Sequence, residues 1–150
     1  MNLIGIFHNH VLLTAMAGWI LAQVLKIPID WIQSRHWNWA LLFAAGGMPS
    51  SHSALVTSTA MAVGLQYGFD NPIFGVAMAL AMVVVYDATG IRRQAGMQAQ
   101  KINILVEELL QGHPISQEHL REMLGHTPLE ALGGVLLGLV VALVLWLLWR

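Results

Sequence analysis

Residues 129–149 read LEALGGVLLGLVVALVLWLLW, and their one formal charge is the carboxylate of Glu130 near the start. Residues 3–25 contain no formal charge at all. A helix needs roughly 20 apolar residues to cross the hydrocarbon core of a bilayer, and both stretches reach that length. We therefore predict a membrane-spanning helix near each end of the chain.

The composition of the whole chain supports this interpretation. Of its 150 residues, 57% are hydrophobic and 10% are charged, whereas a soluble domain carries about 25% charged residues. A net charge of −1 provides no basic surface for nucleic acid, so we expect no nucleic-acid partner. The absence of cysteine excludes disulfides and thiolate metal ligands. We predict one membrane domain over residues 1–150.

Two further apolar runs lie between these stretches, separated by the turn sequence QYGFDNP at 66–72. They predict a helical hairpin, because glycine and proline in such a turn interrupt helices. Residues 37–45 are apolar but too short to span, and we expect a re-entrant segment there. The expected fold is an all-α integral membrane helical bundle of about four spanning helices plus short amphipathic helices. The spanning helices are predicted at 3–25, 51–67, 73–89 and 128–149, and the amphipathic helices at 97–110 and 116–124.

The basic residues predict the orientation of this bundle. Six of the seven fall in the connection after the first helix or in the connection before the last, and Arg150 stands alone at the C-terminus. The positive-inside rule makes that face cytoplasmic and places both chain ends outside. The six residues are Lys26, Arg35, Arg92, Arg93, Lys101 and Arg121.

A phosphate-binding helix start is predicted at residues 46–53, which read GGMPSSHS. The glycines allow a sharp turn, and Pro49 marks a helix boundary. Ser50 is a good N-cap, and the unpaired N–H groups of a helix start suit a phosphoryl group. His52 would face the same place and could transfer a proton. The alternative is that Ser50 only caps the helix and His52 lies in a helix interface.

Reactive side chains concentrate in the connections on the predicted cytoplasmic face. Lysine and arginine beside helix N-termini form an anion site, and histidines add proton transfer or nucleophilic attack. Simpler roles stay open: Lys26 suits an interface position, Asp87 an ion pair with an arginine, and Glu130 a capping box. No two histidines have metal-ligand spacing with a nearby carboxylate, so we expect no metal and no cofactor. The candidate residues are Lys26, Arg35, Ser50, Ser51, His52, Asp87, Arg92, Arg93, His126 and Glu130.

Three motifs in this order resemble a known family. They are GGMPSSH at 46–52, DATGIRRQAGMQA at 87–99 and LGHTPLE at 124–130. From about residue 21 to residue 138, the chain resembles the small bacterial and plastid proteins of the divergent branch of the type 2 phosphatidic acid phosphatase superfamily. That superfamily also includes vanadium haloperoxidases. The resemblance implies a phosphatase-related protein of a bacterial inner membrane.

The resemblance also implies roles for individual residues. Residues 49–52 match the superfamily motif Pro-Ser-Gly-His with serine in place of glycine, which makes His52 the general acid. Gln98 stands where the superfamily has its nucleophilic histidine, and glutamine cannot form a phosphohistidine. The phosphate-binding residues that the resemblance implies are Lys26, Ser50, Ser51, Arg92, Arg93 and Gln98.

His126 offers a replacement for that nucleophile. With Glu130 four residues later, it repeats the superfamily spacing His-x3-Asp with a longer carboxylate. Our hypothesis is that His126 attacks phosphorus, Glu130 orients it, and His52 protonates the leaving oxygen, while the basic residues stabilise the phosphoryl oxygens. In a second version, water attacks directly and Asp87 acts as the base.

The substrate class and the partners follow from the same resemblance. A site at the membrane face suits a lipid phosphate monoester, with phosphatidylglycerophosphate as the leading candidate and an isoprenyl pyrophosphate as the second. The rival hypothesis, which Gln98 favours, is a non-catalytic membrane protein that keeps a phosphate or anionic-lipid binding site. Four helices without inverted repeats give little support to a transporter. Besides membrane lipids, we include a homodimer among the expected partners, because Gly134 and Gly138 offer a helix-packing face.

Overall fold

Every element that the structure describes is a helix, as the sequence predicts. The computed structural model describes residues 3–44, 46–110 and 126–150, with the backbone alone for Leu3, Gln33, Arg92, Arg93, Glu107, Glu108 and Leu110. Short 3₁₀ turns occupy Leu3–His8 and Trp39–Phe43. The α-helices are, in chain order, α1 His10–Ser34, α2 Ser51–Tyr67, α3 Pro72–Thr89, α4 Ile91–Leu110 and α5 Pro128–Trp149.

Three helical stretches among the described residues are long and apolar enough to cross a membrane: His10–Ile32, Pro72–Val106 and Pro128–Trp149. The helix α2 has 17 residues and is largely buried, because α1, α3 and α5 pack around it. The predicted bounds 51–67 and 128–149 match α2 and α5, and α3 begins one residue before its predicted start. The bundle is therefore arranged around α2, which is not one of these three stretches, and the prediction that α2 also spans the membrane stays a prediction.

The first helix differs most from its prediction. Expected at 3–25, α1 instead begins after Asn9, whose side chain accepts a hydrogen bond from the Leu12 N–H at 3.1 Å. It continues until Arg35, where a left-handed φ of 59° follows the last helical residue. Lys26 thus lies inside α1, and the prediction that placed it in the following connection is wrong. Apolar residues on both sides of Lys26 continue the helix. The lysine side chain is buried, so Lys26 does not mark the end of the helix.

Small residues let α2 approach its neighbours closely. Gly134 and Gly138 of α5 are buried against α2, where a Cβ on Gly138 would lie 2.7 Å from the Ala54 carbonyl oxygen. Gly18 of α1 packs in the same way beside Ser58. The close packing predicted for α5 is confirmed, but α2 of the same chain covers its glycine face. A homodimer stays a prediction that no longer has this face as its basis.

The helix α4 follows α3 after a turn at Gly90. Within the described ranges α4 contacts only α3, so it lies at the side of the bundle. The amphipathic helix predicted at 97–110 falls inside α4, which begins earlier, at Ile91. The second amphipathic helix, predicted at 116–124, lies outside the described residues, as does Arg121.

The segment predicted as re-entrant, residues 37–45, contains the 3₁₀ turn Trp39–Phe43. This turn packs against α1, while the side chains of Trp39 and Phe43 are exposed. Aromatic side chains of this kind suit the interface between the bilayer and water. The re-entrant path stays a prediction, and Ala45 lies outside the described residues.

Candidate functional site

The predicted N-cap of α2 is confirmed. Ser50 has an extended backbone, and its Oγ accepts hydrogen bonds from the N–H and the hydroxyl of Ser53, at 3.3 and 3.1 Å. Gly47 in the preceding turn has a φ of +91°, which residues with a Cβ rarely adopt. Ser50, Ser51 and Ser53 are almost fully buried. The glycine turn therefore leads into a helix start whose polar groups are enclosed by protein.

The helix α5 begins with the predicted capping box. Thr127 Oγ1 accepts a hydrogen bond from the Glu130 N–H at 3.3 Å, and Glu130 Oε2 accepts one from the Thr127 N–H at 2.9 Å. Pro128 occupies the first helical position, where its missing N–H leaves no hydrogen bond unmade. The Ser50 N–H donates to the Glu130 backbone carbonyl at 2.9 Å. This bond joins the starts of α2 and α5 into one site.

His126 is the central residue of this site. It is 5% exposed, and its Nδ1 lies 3.2 Å from Glu130 Oε2. Its Nε2 is buried and has no hydrogen-bond partner among the residues that the structure describes. A carboxylate beside Nδ1 holds the imidazole proton on that nitrogen, so the lone pair of Nε2 is left unbonded. This is the arrangement of a histidine that acts as a nucleophile or a base.

A second imidazole lies beside the first. His52 is in the first turn of α2, and its ring centroid is 6.3 Å from that of His126, with the ring planes inclined at 56°. His52 is partly exposed, whereas His126 is buried. Two imidazoles at this distance can act on the same small substrate group, one as a nucleophile and the other as a proton donor.

Lys26 places a buried side chain amine next to the glycine turn. It is 1% exposed, and its Nζ donates a hydrogen bond to the Ala44 carbonyl oxygen at 2.8 Å. Its side chain passes Gly47, with Cδ 3.7 Å from the position that a Cβ would take there. Lys26 thus holds the start of the glycine turn against α1.

Gln23 also supports the site, although the sequence analysis did not single it out. Its Nε2 donates a hydrogen bond to the Leu42 carbonyl oxygen at 3.0 Å, and its Oε1 is buried without a partner among the described residues. Together with Lys26, it holds the Trp39–Phe43 turn and the chain after it against α1. The sequence does carry a signal for this role. Gln23 and Lys26 are polar residues three positions apart on an apolar helix, and residues with this spacing share one face.

Of the remaining candidate residues, Arg35 lies at the end of α1, over the ring of Trp31, and the others lie on α3 and α4. Asp87 is partly buried in the last turn of α3. Arg92 and Arg93 are in the first turn of α4, and their side chains lie outside the described part of the chain. Gln98 is exposed on α4, which contacts neither α2 nor α5 in the described ranges. Gln98 is therefore not brought to the helices that carry the two histidines.

The assembled site combines three chemical elements. A carboxylate–imidazole pair can provide a nucleophile or base, a second imidazole can donate a proton, and an ammonium group beside a helix start can bind an anion. Within the described residues, no three His, Cys, Asp or Glu side chains form a group that could hold a metal ion. The predicted residues that the structure brings together are Lys26, Ser50, Ser51, His52, His126 and Glu130.

Comparison with known proteins agrees with the resemblance of the motifs. A family model described as the divergent PAP2 family matches residues 7–141. A curated relative from Bacillus subtilis (strain 168), named uncharacterized membrane protein YuiD, is 42% identical over 148 residues. The match covers 91% of this chain and 94% of the relative. No solved structure matches the chain.

Proposed function

This chain belongs to the divergent PAP2 family, and we propose that it is an integral membrane phosphatase that hydrolyses a lipid-linked phosphate monoester. Family membership supports a phosphatase-related membrane protein. The observation that carries the catalytic proposal is the imidazole of His126, with Nδ1 at the Glu130 carboxylate and Nε2 buried without a described partner. Phosphatidylglycerophosphate is the leading substrate candidate, and an isoprenyl pyrophosphate is the second.

In the first step of the proposed reaction, the Nε2 lone pair of His126 attacks phosphorus. A P–N bond forms while the P–O bond to the lipid breaks, and His52 gives its proton to the leaving oxygen. The Glu130 carboxylate stabilises the positive charge that develops on the attacking ring.

In the second step, a water molecule attacks the phosphohistidine and His52 accepts its proton. The P–N bond breaks, inorganic phosphate leaves and His126 regains its lone pair. We propose that Lys26 and the N–H groups at the start of α2 bind the phosphoryl oxygens in both steps, together with Arg92 and Arg93. These charges would stabilise the transition state without a metal ion.

A second version of the reaction has water attack phosphorus directly, with Asp87 as the base. Asp87 is partly buried near the end of α3, on the side of the bundle where α4 begins. In this version an Asp87→Asn variant would lose activity while His126→Ala would keep it. In the first version, His126→Ala would lose activity and Asp87→Asn would keep it.

The test measures phosphate release from phosphatidylglycerophosphate, phosphatidic acid and an isoprenyl pyrophosphate by the purified protein in detergent with a chelator present. We expect release by the wild type and a loss of at least about 10³-fold in His52→Ala and His126→Ala. His10→Ala is the control, because the His10 ring lies 4.4 Å from that of Trp149, at the end of α5 opposite to Glu130. Acid-labile ³²P on the wild type, absent from His126→Ala, would support the covalent step. Full activity in His126→Ala would overturn it.

The rival function is a non-catalytic protein that binds phosphate or an anionic lipid. Gln98, at the position where the superfamily has its nucleophile, favours it. Under this hypothesis the wild type binds lipid phosphate without releasing inorganic phosphate, and Lys26→Ala abolishes the binding. Turnover that depends on His126 would exclude the rival.

We also propose that the site faces the cytoplasmic side of a bacterial inner membrane, because Arg35, Arg92 and Arg93 follow the helix ends on that side of the bundle and the hairpin turn contains no basic residue. The chain contains no cysteine, so one introduced thiol reports its side of the membrane unambiguously. A membrane-impermeant maleimide should label Asp70→Cys in the hairpin turn on intact cells. It should label Lys101→Cys on α4 only after the cells are lysed, and the reverse pattern would invert the orientation.

A further inference from the structure

An open apolar groove lies between α3 and α5, with α2 as its floor. Its volume is about 550 Å³, which is within the range of about 300–1,000 Å³ for small-molecule sites. Most of its lining side chains are aliphatic, aromatic or methionine. The lining includes Ala60, Met61, Met78, Ala81, Val85 and Leu139.

The two ends of this groove, which we call the α3–α5 groove, differ in polarity. Phe69 and Phe74 close one end, with their rings edge to face at 5.1 Å. The lining residues with hydroxyl groups are Thr57, Tyr86 and Thr89, and the last two lie in the final turn of α3. The polar atoms of the groove thus concentrate at the end of α3 that leads to α4.

The same helices carry both the groove and the candidate phosphate site. Thr57 lies five residues after His52 on α2, and Val135 lies five residues after Glu130 on α5. Five helical residues correspond to about 7.5 Å along a helix axis. Five residues also rotate the side-chain direction by about 140°, and none of the site residues lines the groove. The groove therefore begins a short distance along the same two helices on another of their faces, and its polar end is the end nearer to the site.

The groove is longer than the hydrocarbon part of one leaflet is thick. Phe74 and Thr89 are fifteen residues apart on α3, which is about 22 Å of helix. Half of a hydrocarbon core is about 15 Å thick. A lipid whose phosphate lies at the histidines could thus extend its chain along the groove towards the phenylalanine pair.

We propose that the α3–α5 groove binds a hydrocarbon chain of the lipid phosphate substrate, which enters sideways from the bilayer. This inference rests on the proposed phosphatase function and deepens it by assigning the site for the chain. A lipid in the bilayer is already out of water, so the groove gains no hydrophobic transfer energy from it. Its contribution is to position the chain, and through the chain the phosphate, for attack.

The test compares two identical substitutions on α3. Val85 lines the groove, whereas Val83 is 66% exposed and does not belong to the lining. Val85→Phe should lower kcat/KM for long-chain phosphatidic acid by about tenfold, because a bulky ring occupies the place of the chain. It should change kcat/KM for dihexanoyl phosphatidic acid by less than about twofold, since six carbons do not fill the groove. Val83→Phe should leave both values unchanged.

Equal loss on both substrates in Val85→Phe, or equal loss in the two variants, would overturn the groove assignment. A binding readout is independent of turnover. Phosphatidic acid with a photoreactive group on its chain should label peptides of the lining, such as those with Met61 and Met78, more than diacylglycerol with the same chain. Equal labelling by the two lipids would mean that the groove holds bystander lipid, and would also overturn the assignment.

The outcomes separate this inference from the proposed function. If the wild type releases no phosphate from either chain length, the phosphatase proposal fails. If phosphate-dependent labelling of the groove persists in that case, and Val85→Phe reduces it while Val83→Phe does not, the groove assignment stands. If the wild type releases phosphate but the two photoreactive lipids label the groove equally, the phosphatase proposal stands and the groove assignment fails.

Discussion

The two ends of the bundle begin their helices with the same local device but differ in what surrounds it. At the hairpin turn, Asn71 caps α3 and Pro72 takes the first helical position, and the neighbouring Tyr67 and Phe69 are exposed. At the other end, Thr127 and Pro128 start α5 in the same way. There the start of α5 is hydrogen-bonded to the start of α2, and the two helix starts contain buried polar groups. A helix start becomes a chemical site only where other helices cover it.

The polar groups at the starts of α2 and α5 are buried, and the burial of polar groups lowers stability. Lys26, Ser50 and His126 are each at most 5% exposed, and a buried polar group without a partner lowers stability by roughly 1–3 kcal/mol. His126 Nε2 has no described partner. Ionisable and polar groups that a membrane protein keeps in such surroundings default to a functional role.

The largest expected contrast between the two ends comes from Glu130→Gln. The amide can still accept the Thr127 N–H bond, but it no longer holds the proton on His126 Nδ1 by charge. We expect phosphate release to fall by about 10³–10⁴-fold, as when an orienting carboxylate is neutralised in a catalytic triad. Asp70→Asn in the exposed hairpin turn is the matched change and should leave the rate unaltered. An unchanged rate in Glu130→Gln would remove the orienting role.

Lys26→Met should give the next largest effect. It removes both the buried charge and the hydrogen bond to the Ala44 carbonyl, and a hydrogen bond to a charged group contributes about 1.5–3 kcal/mol. Thermal unfolding in detergent, followed by circular dichroism, should show this loss together with weaker lipid-phosphate binding. Lys101→Met on the exposed surface of α4 is the control. Equal unfolding temperatures for the two variants would contradict the prediction.

Glycine-to-alanine substitutions should change the stability of the protein in opposite directions at the two ends of the bundle. A Cβ on Gly134 would overlap the Ser50 carbonyl oxygen and lie 2.8 Å from Ser53 Cβ, and such overpacking costs about 1–3 kcal/mol. A Cβ on Gly75 in α3 meets nothing within 4 Å, so Gly75→Ala should stabilise the helix by about 0.5–1 kcal/mol. Unfolding of both variants in the same detergent tests this. Destabilisation by both would show that α3 is covered at Gly75.

The smallest expected effects come from the two N-caps. Ser50→Ala and Asn71→Ala each remove a side-chain oxygen that accepts a backbone N–H at a helix start, and each should lower stability by about 1 kcal/mol. Only Ser50→Ala should also lower phosphate release, because only Ser50 lies beside the histidines. Equal activities in the two variants would limit Ser50 to a structural role.

Much of the architecture was predictable because it depends on local chemistry. The bounds of α2 and α5 follow from Ser50, Thr127 and Pro128, which define helix starts whatever the rest of the fold does. The end of α1 was not predictable in this way. Lys26 suggests a helix end at the membrane surface, but in the structure its amine is satisfied by the Ala44 carbonyl, eighteen residues away in sequence. Only a long-range partner makes a buried lysine inside a helix tolerable.

The candidate site was also predictable from the sequence only in part. The spacing of His126 and Glu130 could be seen in the chain, and the hydrogen-bonded pair is observed. The support of the Trp39–Phe43 turn by Gln23 was missed. The spacing of Gln23 and Lys26 indicates a shared face, but the partner of Gln23 is a backbone carbonyl, which has no sequence signature. The α3–α5 groove was also missed. Its lining comes from three helices and the hairpin turn, and the sequence of each helix alone indicates only an apolar run.

For this protein, the sequence alone determines the membrane class, the all-helical fold, the helix starts and the residue types available for phosphate chemistry. Each of these depends on composition or on contacts within one turn of helix. The tertiary structure alone decides that α2 lies at the centre, that His52 and His126 meet at 6.3 Å, and that Nε2 of His126 is enclosed. These properties arise from packing between distant segments, which close approach at Gly134 and Gly138 makes possible.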